Sequence, residues 1–232
     1  MKFFNFTKQV PLSGIFEGFT DWHCHILPGV DDGFRTLEDS LDILSLYEES
    51  GVSQVWLTPH IMEDIPNTPE FLRERFAELK NAYNGQVELH LASENMLDSL
   101  FQERLESGDL LPLGSGQLLV ETSYYNPPLG FRDMLRSVRK AGFEPVLAHP
   151  ERYRYMVESD YESLHSEGIT FQLNVPSLLG LYGNTARAKA QWMLERSMYS
   201  LCATDLHQRS IFEKMLEGRL GEKLMERLEL LL

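Results

Sequence analysis

The stretch DWHCHILPGVDDG (Asp21–Gly33) ends an apolar run in alternating polar residues and then turns. Extended chain sends successive side chains to opposite faces, so His23 and His25 share one face while Cys24 takes the other. Two imidazoles so spaced at a strand end can grip one cation. A pair this short, standing alone, is equally a chance feature of a strand end.

Working outward, the pair is not alone. The strand candidates are Phe19–His23, Gln54–Thr58, Val87–Ala92, Leu118–Thr122, Pro145–His149, Ile169–Asn174 and Tyr199–Ala203, and most are followed closely by His, Asp or Glu. Between them run helical patterns. Leu37, Leu41, Leu44 and Tyr47 recur at helical spacing before Gly51, and Thr68-Pro69 offers a cap and first turn for the next helix. Further helices are predicted over Met96–Glu106, Phe131–Ala141, Asp160–Glu167, Thr185–Arg196, Ile211–Glu217 and Glu222–Leu231. The alternation predicts an α/β fold with a parallel sheet wound through crossover helices. Seven β–α steps favour a closed or nearly closed barrel, with an open doubly wound sheet as the alternative that pattern alone leaves. The expected organisation is an N-terminal extension over 1–18 and a single barrel domain over 19–232.

Bulk properties narrow the function. The 232 residues are 43% hydrophobic and 11% aromatic, enough for one full core. Lys and Arg number 21 against 35 Asp and Glu, a net charge of −14, which argues against a nucleic-acid partner because that affinity rests on neutralising phosphates. The start, MKFFNFTKQVPLSG, is broken by polar residues and lacks a secretory apolar core, and no run approaches membrane-spanning length. The expectation is a cytoplasmic protein that is not inserted in a membrane. Two cysteines imply no disulfide framework.

The remaining clusters are TPH (58–60), ASEN (92–95), VET (120–122), AHPER (148–152) and TDLH (204–207). Five of the seven histidines lie in such groups, and barrel enzymes gather their active groups at the C-terminal rim. Asp32 is the expected ligand of the Asp31-Asp32 pair, with Asp31 a turn former. Glu94 and Glu121 each end an apolar run, where a carboxylate needs a cation or an arginine. Arg152, three residues beyond His149, is placed to hold an anion bidentately, its structural alternative being an ion pair with Glu151 or Glu144. Asp205 and His207 repeat the spacing of the first pair. His90 and His165 read as packed or solvated residues. Position six after Cys24 is Val30 and after Cys202 is Gln208, so neither forms the Cys-to-Arg loop of a thiolate phosphatase. Serine-elbow, P-loop and dinucleotide fingerprints are missing from the sequence.

Taken together, DWHCHILPGVDDG, WLTPH, LVET, PVLAHPERYRY and ATDLH resemble the PHP (polymerase and histidinol phosphatase) superfamily from about Phe19 to about His207. Within it they are most similar to the bacterial manganese-dependent protein-tyrosine phosphatases of capsule and exopolysaccharide synthesis. The resemblance implies a distorted seven-stranded (β/α) barrel holding three divalent metal ions, manganese first, with iron or zinc as alternatives. It implies His23, His25, Glu94 and Asp205 on one ion, Glu94 bridging to a second held by Glu121 and His149, and Asp32, His60 and His207 on the third. Arg152 matches the phosphate-holding arginine, Arg209 is a second phosphate-binding candidate, and His207 and His60 are candidates for catalytic proton transfer. Carboxylates at Asp32 and Glu121, where the histidinol-phosphatase branch commonly has histidines, tilt the resemblance toward the tyrosine phosphatases. The implied reaction is attack of a cation-activated water on a phosphate monoester, with no cysteine nucleophile. The implied partner is the phosphotyrosine-bearing tail of a tyrosine autokinase. Hydrolysis of a small ester such as histidinol phosphate, or a non-catalytic regulatory module, is the alternative. The eighteen leading residues and the acidic IMEDIPN loop (61–67) depart from the family pattern.

Overall fold

In the computed structural model, residues 8–114 and 116–232 are described. The expected extension over 1–18 therefore lies partly outside the described residues. Its described part begins with β1 (Gln9–Pro11), which pairs antiparallel with β11 (Arg219–Gly221) near the other end of the chain. A short 3-10 turn follows (Leu12–Phe16), burying Leu12, Ile15 and Phe16, with the Phe16 ring 4.8 Å from that of Phe212.

The chain then alternates as its sequence pattern indicates: β2 (Thr20–Cys24), α1 (Leu37–Glu49), β3 (Gln54–Leu57), β4 (His60–Ile61), α2 (Pro69–Ala82), β5 (Glu88–Leu91), β6 (Glu94–Met96), α3 (Phe101–Ser107), β7 (Gln117–Glu121), α4 (Phe131–Lys140) and β8 (Glu144–Ala148). It continues with α5 (Glu158–Ser166), β9 (Thr170–Asn174), α6 (Val175–Leu178), α7 (Asn184–Glu195), β10 (Tyr199–Ala203), α8 (Arg209–Glu217), β11 and α9 (Glu222–Glu229). The Thr68 hydroxyl caps α2 as the sequence signals, accepting from Phe71 N with Pro69 in the first turn, and the Thr36 hydroxyl caps α1 by accepting from Asp39 N. Gly51 ends the first helix region at φ 91°, a left-handed backbone that a Cβ resists.

The strands make parallel ladders, as expected of β–α repeats. The sequence predicts a distorted seven-stranded barrel; among the described residues these ladders form no closed one. They make a six-stranded sheet, β10-β9-β8-β7-β6-β4, and a three-stranded sheet, β2-β3-β5. The physical reason lies in two breaks. The second predicted strand stops as expected at Thr58-Pro59, where proline has no N–H for the ladder, but the chain resumes as β4, and the third stops at Ala92-Ser93 and resumes as β6. Each broken strand gives its first half to one sheet and its second half to the other. Between β2 and β10, contact is made by a parallel bridge, Cys24 to Leu206, and by Asp205 N donating to His23 O at 2.8 Å.

The helix expected over Met96–Glu106 begins late. Residues 94–96 stay extended, and Asp98 holds a turn by accepting from Leu100 N and Glu63 N before α3 starts. The core is continuous from Leu12 to Leu228, with Tyr47, Tyr153, Tyr161 and Phe171 among its fully buried aromatics. Among the described residues no helix is long and apolar enough to cross a membrane.

Candidate metal centre

The breaks and strand ends bring the nine candidate donors together. His23 is the last residue but one of β2 and His25 follows the strand; His60 opens β4 opposite Glu94 of β6; Glu121 ends β7; His149 follows β8; Asp205 and His207 follow β10. Asp32 comes from the turn after β2. Among the described residues three non-glycine residues have positive φ, and two of them are His149 (34°) and Asp205 (50°), so backbone strain sits at donor positions.

His23 Nε2 and His25 Nε2 are 3.0 Å apart. His23 Nε2 lies 3.3 Å from Glu94 Oε2 and 3.4 Å from Asp205 Oδ1, and His25 Nε2 lies 3.4 Å from each of the same oxygens. A cation held about 2.1 Å from each donor requires neighbouring donors about 3.0–3.4 Å apart. Asp32 Oδ1 is 3.4 Å from His60 Nε2 and 3.3 Å from His207 Nε2. Glu94 Oε1 is 2.9 Å from His149 Nε2, which is 3.8 Å from Glu121 Oε2. His60 Nδ1 stands 3.1 Å from Glu94 Oε2 and 3.2 Å from Glu121 Oε1.

The donors fall into three overlapping groups, with the ligand atoms of each group within 4.8 Å of one another: His25, Asp32, His60, His207; His23, Glu94, His149, Asp205; and His60, Glu94, Glu121. The partition differs in detail from that implied by resemblance. His25 also groups with the Asp32 set, and His60 also faces Glu121.

A test of fit comes from polar atoms left without hydrogen bonds. Glu94 Oε2, Glu121 Oε1, Asp205 Oδ1, His60 Nδ1 and His149 Nδ1 are buried and have no hydrogen-bond partner among the described residues. Such atoms cost free energy unless something else satisfies them. Mixed imidazole and carboxylate donors at these spacings suit divalent cations.

The tautomers support the same reading. His23 Nδ1 faces Gln172 Oε1 at 2.9 Å, and His207 Nδ1 faces the Asp205 carbonyl at 2.9 Å. Both oxygens only accept, so each Nδ1 donates and each Nε2 presents a lone pair to the centre. His25 Nδ1 is 2.7 Å from Asp31 Oδ2, which orients that ring likewise. Asp31, expected only as a turn former, does accept from Gly33 N at 3.0 Å, but it also holds His25 and accepts from His60 N. Gln172 had no signal in the sequence, because its partner lies 149 positions away. Asp21 was likewise missed. Its buried carboxylate accepts from Thr204 N (2.8 Å), the Thr204 hydroxyl (2.6 Å) and the Tyr47 hydroxyl (2.8 Å), tying β2 to the end of β10. Burial raises its pKa to about 6 against those donors.

Charges in the centre oppose burial. Burial favours neutral Glu94, but His23 and His60 hold its pKa well below the usual carboxylate range; for Asp205, His23, His25 and Arg152 do the same. Burial resists charge on His25 and His60, yet Asp31 acting on the first and Glu94 on the second raise both well above the ordinary imidazole value. The sign of the pH effect follows. The histidines' raised pKa values give stability that is full below about pH 6.5 and is lost as pH climbs through the folded values. The carboxylates' contribution is present above about pH 4 and lost in acid. Cations replace those protons, so adding Mn²⁺ to chelator-stripped protein is expected to raise Tm more at about pH 8 than at about pH 6. Thermal unfolding at the two pH values checks this, and an equal or smaller gain at the higher pH overturns it.

Arg152 does not pair with Glu151 or Glu144. Its Nη1 donates to Asp205 Oδ2, and its guanidinium lies between the Tyr124 ring (4.4 Å) and the Tyr182 ring (4.1 Å). Asn174 Nδ2 donates to the same oxygen at 3.0 Å, so one oxygen of Asp205 serves Arg152 while the other faces the imidazoles. Arg209 is placed differently. Its Nε donates to Glu213 Oε1 at 2.9 Å along α8, and it lines a 350 Å³ cavity with Asp32 and His207. His90 stacks on Trp56 at 4.6 Å and His165 lies 6.1 Å from the Phe171 ring, and neither joins a donor group. Cys24 and Cys202 are both buried, and burial pushes both thiols well above their ordinary value. Neither supplies a thiolate.

The chain is similar to known proteins over most of its length. Residues 19–228 match the family model described as capsular polysaccharide synthesis, CpsB/CapC. The chain is 28% identical over 194 residues to the tyrosine-protein phosphatase YwqE of Bacillus subtilis, covering 81% of this chain and 76% of that protein. It is 26% identical over 207 residues to the tyrosine-protein phosphatase CpsB of Streptococcus pneumoniae, covering 81% and 82%. It also matches a chain from the crystal structures of YwqE and CpsB, described as unique metal-dependent tyrosine phosphatases. That match has a TM-score of 0.74 at 26% identity, over 92% of this chain and 94% of that one. The chain belongs to the CpsB/CapC family of capsular polysaccharide synthesis.

Proposed function

We infer that this protein is a metal-dependent phosphate-monoester hydrolase that removes phosphate from phosphotyrosine in a protein substrate. The observation that carries the reading is the contact of Arg152 with Asp205: a cation suited to phosphate touches one member of a nine-donor centre. The relatives reported above are named tyrosine phosphatases, which favours this over hydrolysis of a small ester. Three overlapping donor groups support three divalent cations, with manganese assigned first. The assigned ligands are His23, His25, Asp32, His60, Glu94, Glu121, His149, Asp205 and His207. Strand order and the contact from β2 to β10 support a distorted barrel for the catalytic unit, residues 19–232, braced by β1. By resemblance, the substrate is the tail of a tyrosine autokinase and the compartment is the cytoplasm.

When bound, divalent cations in this centre supply Lewis-acid polarisation and acidify water. The chain's own side chains do the rest. Arg152 gives one N–H to Asp205 and keeps others in a planar fork that meets phosphoryl oxygens. Tyr124 and Tyr182 pack against that fork at 4.4 and 4.1 Å and put aromatic rings beside the place of an aromatic substrate. A phenolate leaving group, with its conjugate acid near pKa about 10, needs less protonation than an alkoxide. Side chains of His207 and His60 are 24% and 10% exposed, the most open imidazoles of the centre; with both nitrogens of each committed to the donor groups or to a carbonyl, the departing oxygen is assigned to leave at that edge, where water reaches it.

The test compares turnover of a phosphotyrosine peptide with that of histidinol phosphate by Mn²⁺-loaded protein, before and after chelation. Hydrolysis of the peptide that ceases on chelation is the expected result. A loaded protein that is inert, or that favours the small ester by a wide margin, overturns the reading.

A further inference from the structure

The chain carries 35 acidic side chains against 21 basic ones, yet a 370 Å³ cavity adjoining Arg152 is lined by Arg152, Arg154 and Lys189 together. Glu151 is the one carboxylate among its described lining residues, and it is turned into the core. It is 1% exposed and accepts from Asn174 N at 3.1 Å and from the Tyr199 hydroxyl at 3.0 Å. The three cations come from two segments that the fold holds together. Lys189 of α7 donates to the carbonyls of Tyr153 (2.6 Å) and Met156 (2.8 Å), pinning the loop that carries Arg152 and Arg154 and leaving its ammonium a third N–H. Arg154 is exposed and rests its face on the Tyr125 ring at 4.7 Å, a contact that leaves its N–H edges open. Tyr182, over whose ring Arg152 lies at 4.1 Å, lines the cavity together with Arg152 itself, so an anion in the cavity lies beside the group assigned to the phosphoryl oxygens.

We propose that this cavity is a subsite for a second anionic group of the substrate polypeptide, the carboxylate of an Asp or Glu flanking the phosphotyrosine. The proposal rests on the phosphotyrosine reading and gives it a sequence preference. An acidic neighbour enters the cavity against Arg154 and Lys189, while the phosphoryl group meets Arg152. Because the rest of the surface is rich in carboxylates, basic lining here discriminates as well as attracts.

The experiment uses the full chain loaded with Mn²⁺ and fluorescent peptides carrying a non-hydrolysable phosphonate in place of phosphotyrosine, flanked by Glu or by Gln. Wild-type protein is expected to bind the Glu peptide about 5- to 10-fold more tightly, the size of one or two partly exposed charge pairs. Arg154→Glu is expected to remove or invert that ratio, and Arg154→Ala to lower it to about 2-fold. Equal affinities in the wild type, or a ratio that survives both variants, overturns the subsite. A peptide with a second phosphonate in place of Glu separates the sources: binding tighter than the Glu peptide and abolished by Arg154→Glu makes this a phosphate subsite and overturns the carboxylate assignment. Failure to turn over any phosphotyrosine peptide, with the Glu preference intact, sinks the hydrolytic reading and leaves the subsite standing. Failure to bind either peptide sinks both.

Discussion

Glu94→Gln is expected to lower turnover on the order of 10³-fold and to strip the protein of part of its metal. One carboxylate serves four imidazoles: Oε1 meets His149 at 2.9 Å, and Oε2 meets His60 at 3.1 Å, His23 at 3.3 Å and His25 at 3.4 Å. Glutamine keeps the shape of the side chain but replaces one acceptor with an amide donor and removes the charge. Because Glu94 is fully buried, solvent cannot make up the loss. Elemental analysis of the purified variant, beside its phosphatase rate, checks the expectation. Full metal content together with more than about a tenth of wild-type turnover would show that Glu94 is a packing residue.

Arg152→Ala is expected to behave differently, keeping its metal while losing about 10²- to 10³-fold in kcat, the usual cost of removing a donor that meets transition-state charge. Arg152 donates to Asp205 Oδ2, whereas Oδ1 is the oxygen that faces His23 and His25, so truncation leaves the donor geometry in place. Arg152→Lys retains charge without the planar fork and is expected to recover only part of the rate. Steady-state kinetics on a phosphotyrosine peptide decides the matter. An unchanged kcat/KM in Arg152→Ala removes the arginine from its assigned role, and loss of metal would mean that it acts by holding Asp205.

Much of this was legible in the sequence because strand ends and chemistry coincide. The last predicted strand, Tyr199–Ala203, is where the pattern put it, and Asp205 and His207 follow its end at the spacing of the first pair. The strand ends at Thr58 and Ala92 were foreseen, but not that the chain resumes beyond these breaks as β4 and β6 in the other sheet, since two or three residues are too few to show a period. Those breaks matter, for they turn His60 and Glu94 into opposite partners in β4 and β6. Asp31 shows a second limit. A turn-forming aspartate and an imidazole-holding aspartate have the same local signature, and only the fold brings His25 within 2.7 Å of it. The clasp of Arg152 by Tyr124 and Tyr182 joins residues 28 and 30 positions away, distances at which spacing carries no information. The β1–β11 pair joins segments 210 residues apart and was equally hidden.

The deep placement of both sulfurs has a bearing on survival under stress. Phosphatases that attack through a thiolate are silenced when peroxide oxidises that atom or an alkylating reagent caps it. Here Cys24 Sγ points to the Trp56 carbonyl at 3.5 Å and Cys202 is 2% exposed, so such reagents meet no ionised sulfur on which the chemistry depends. Dephosphorylation in this architecture is uncoupled from the thiol redox state of its surroundings.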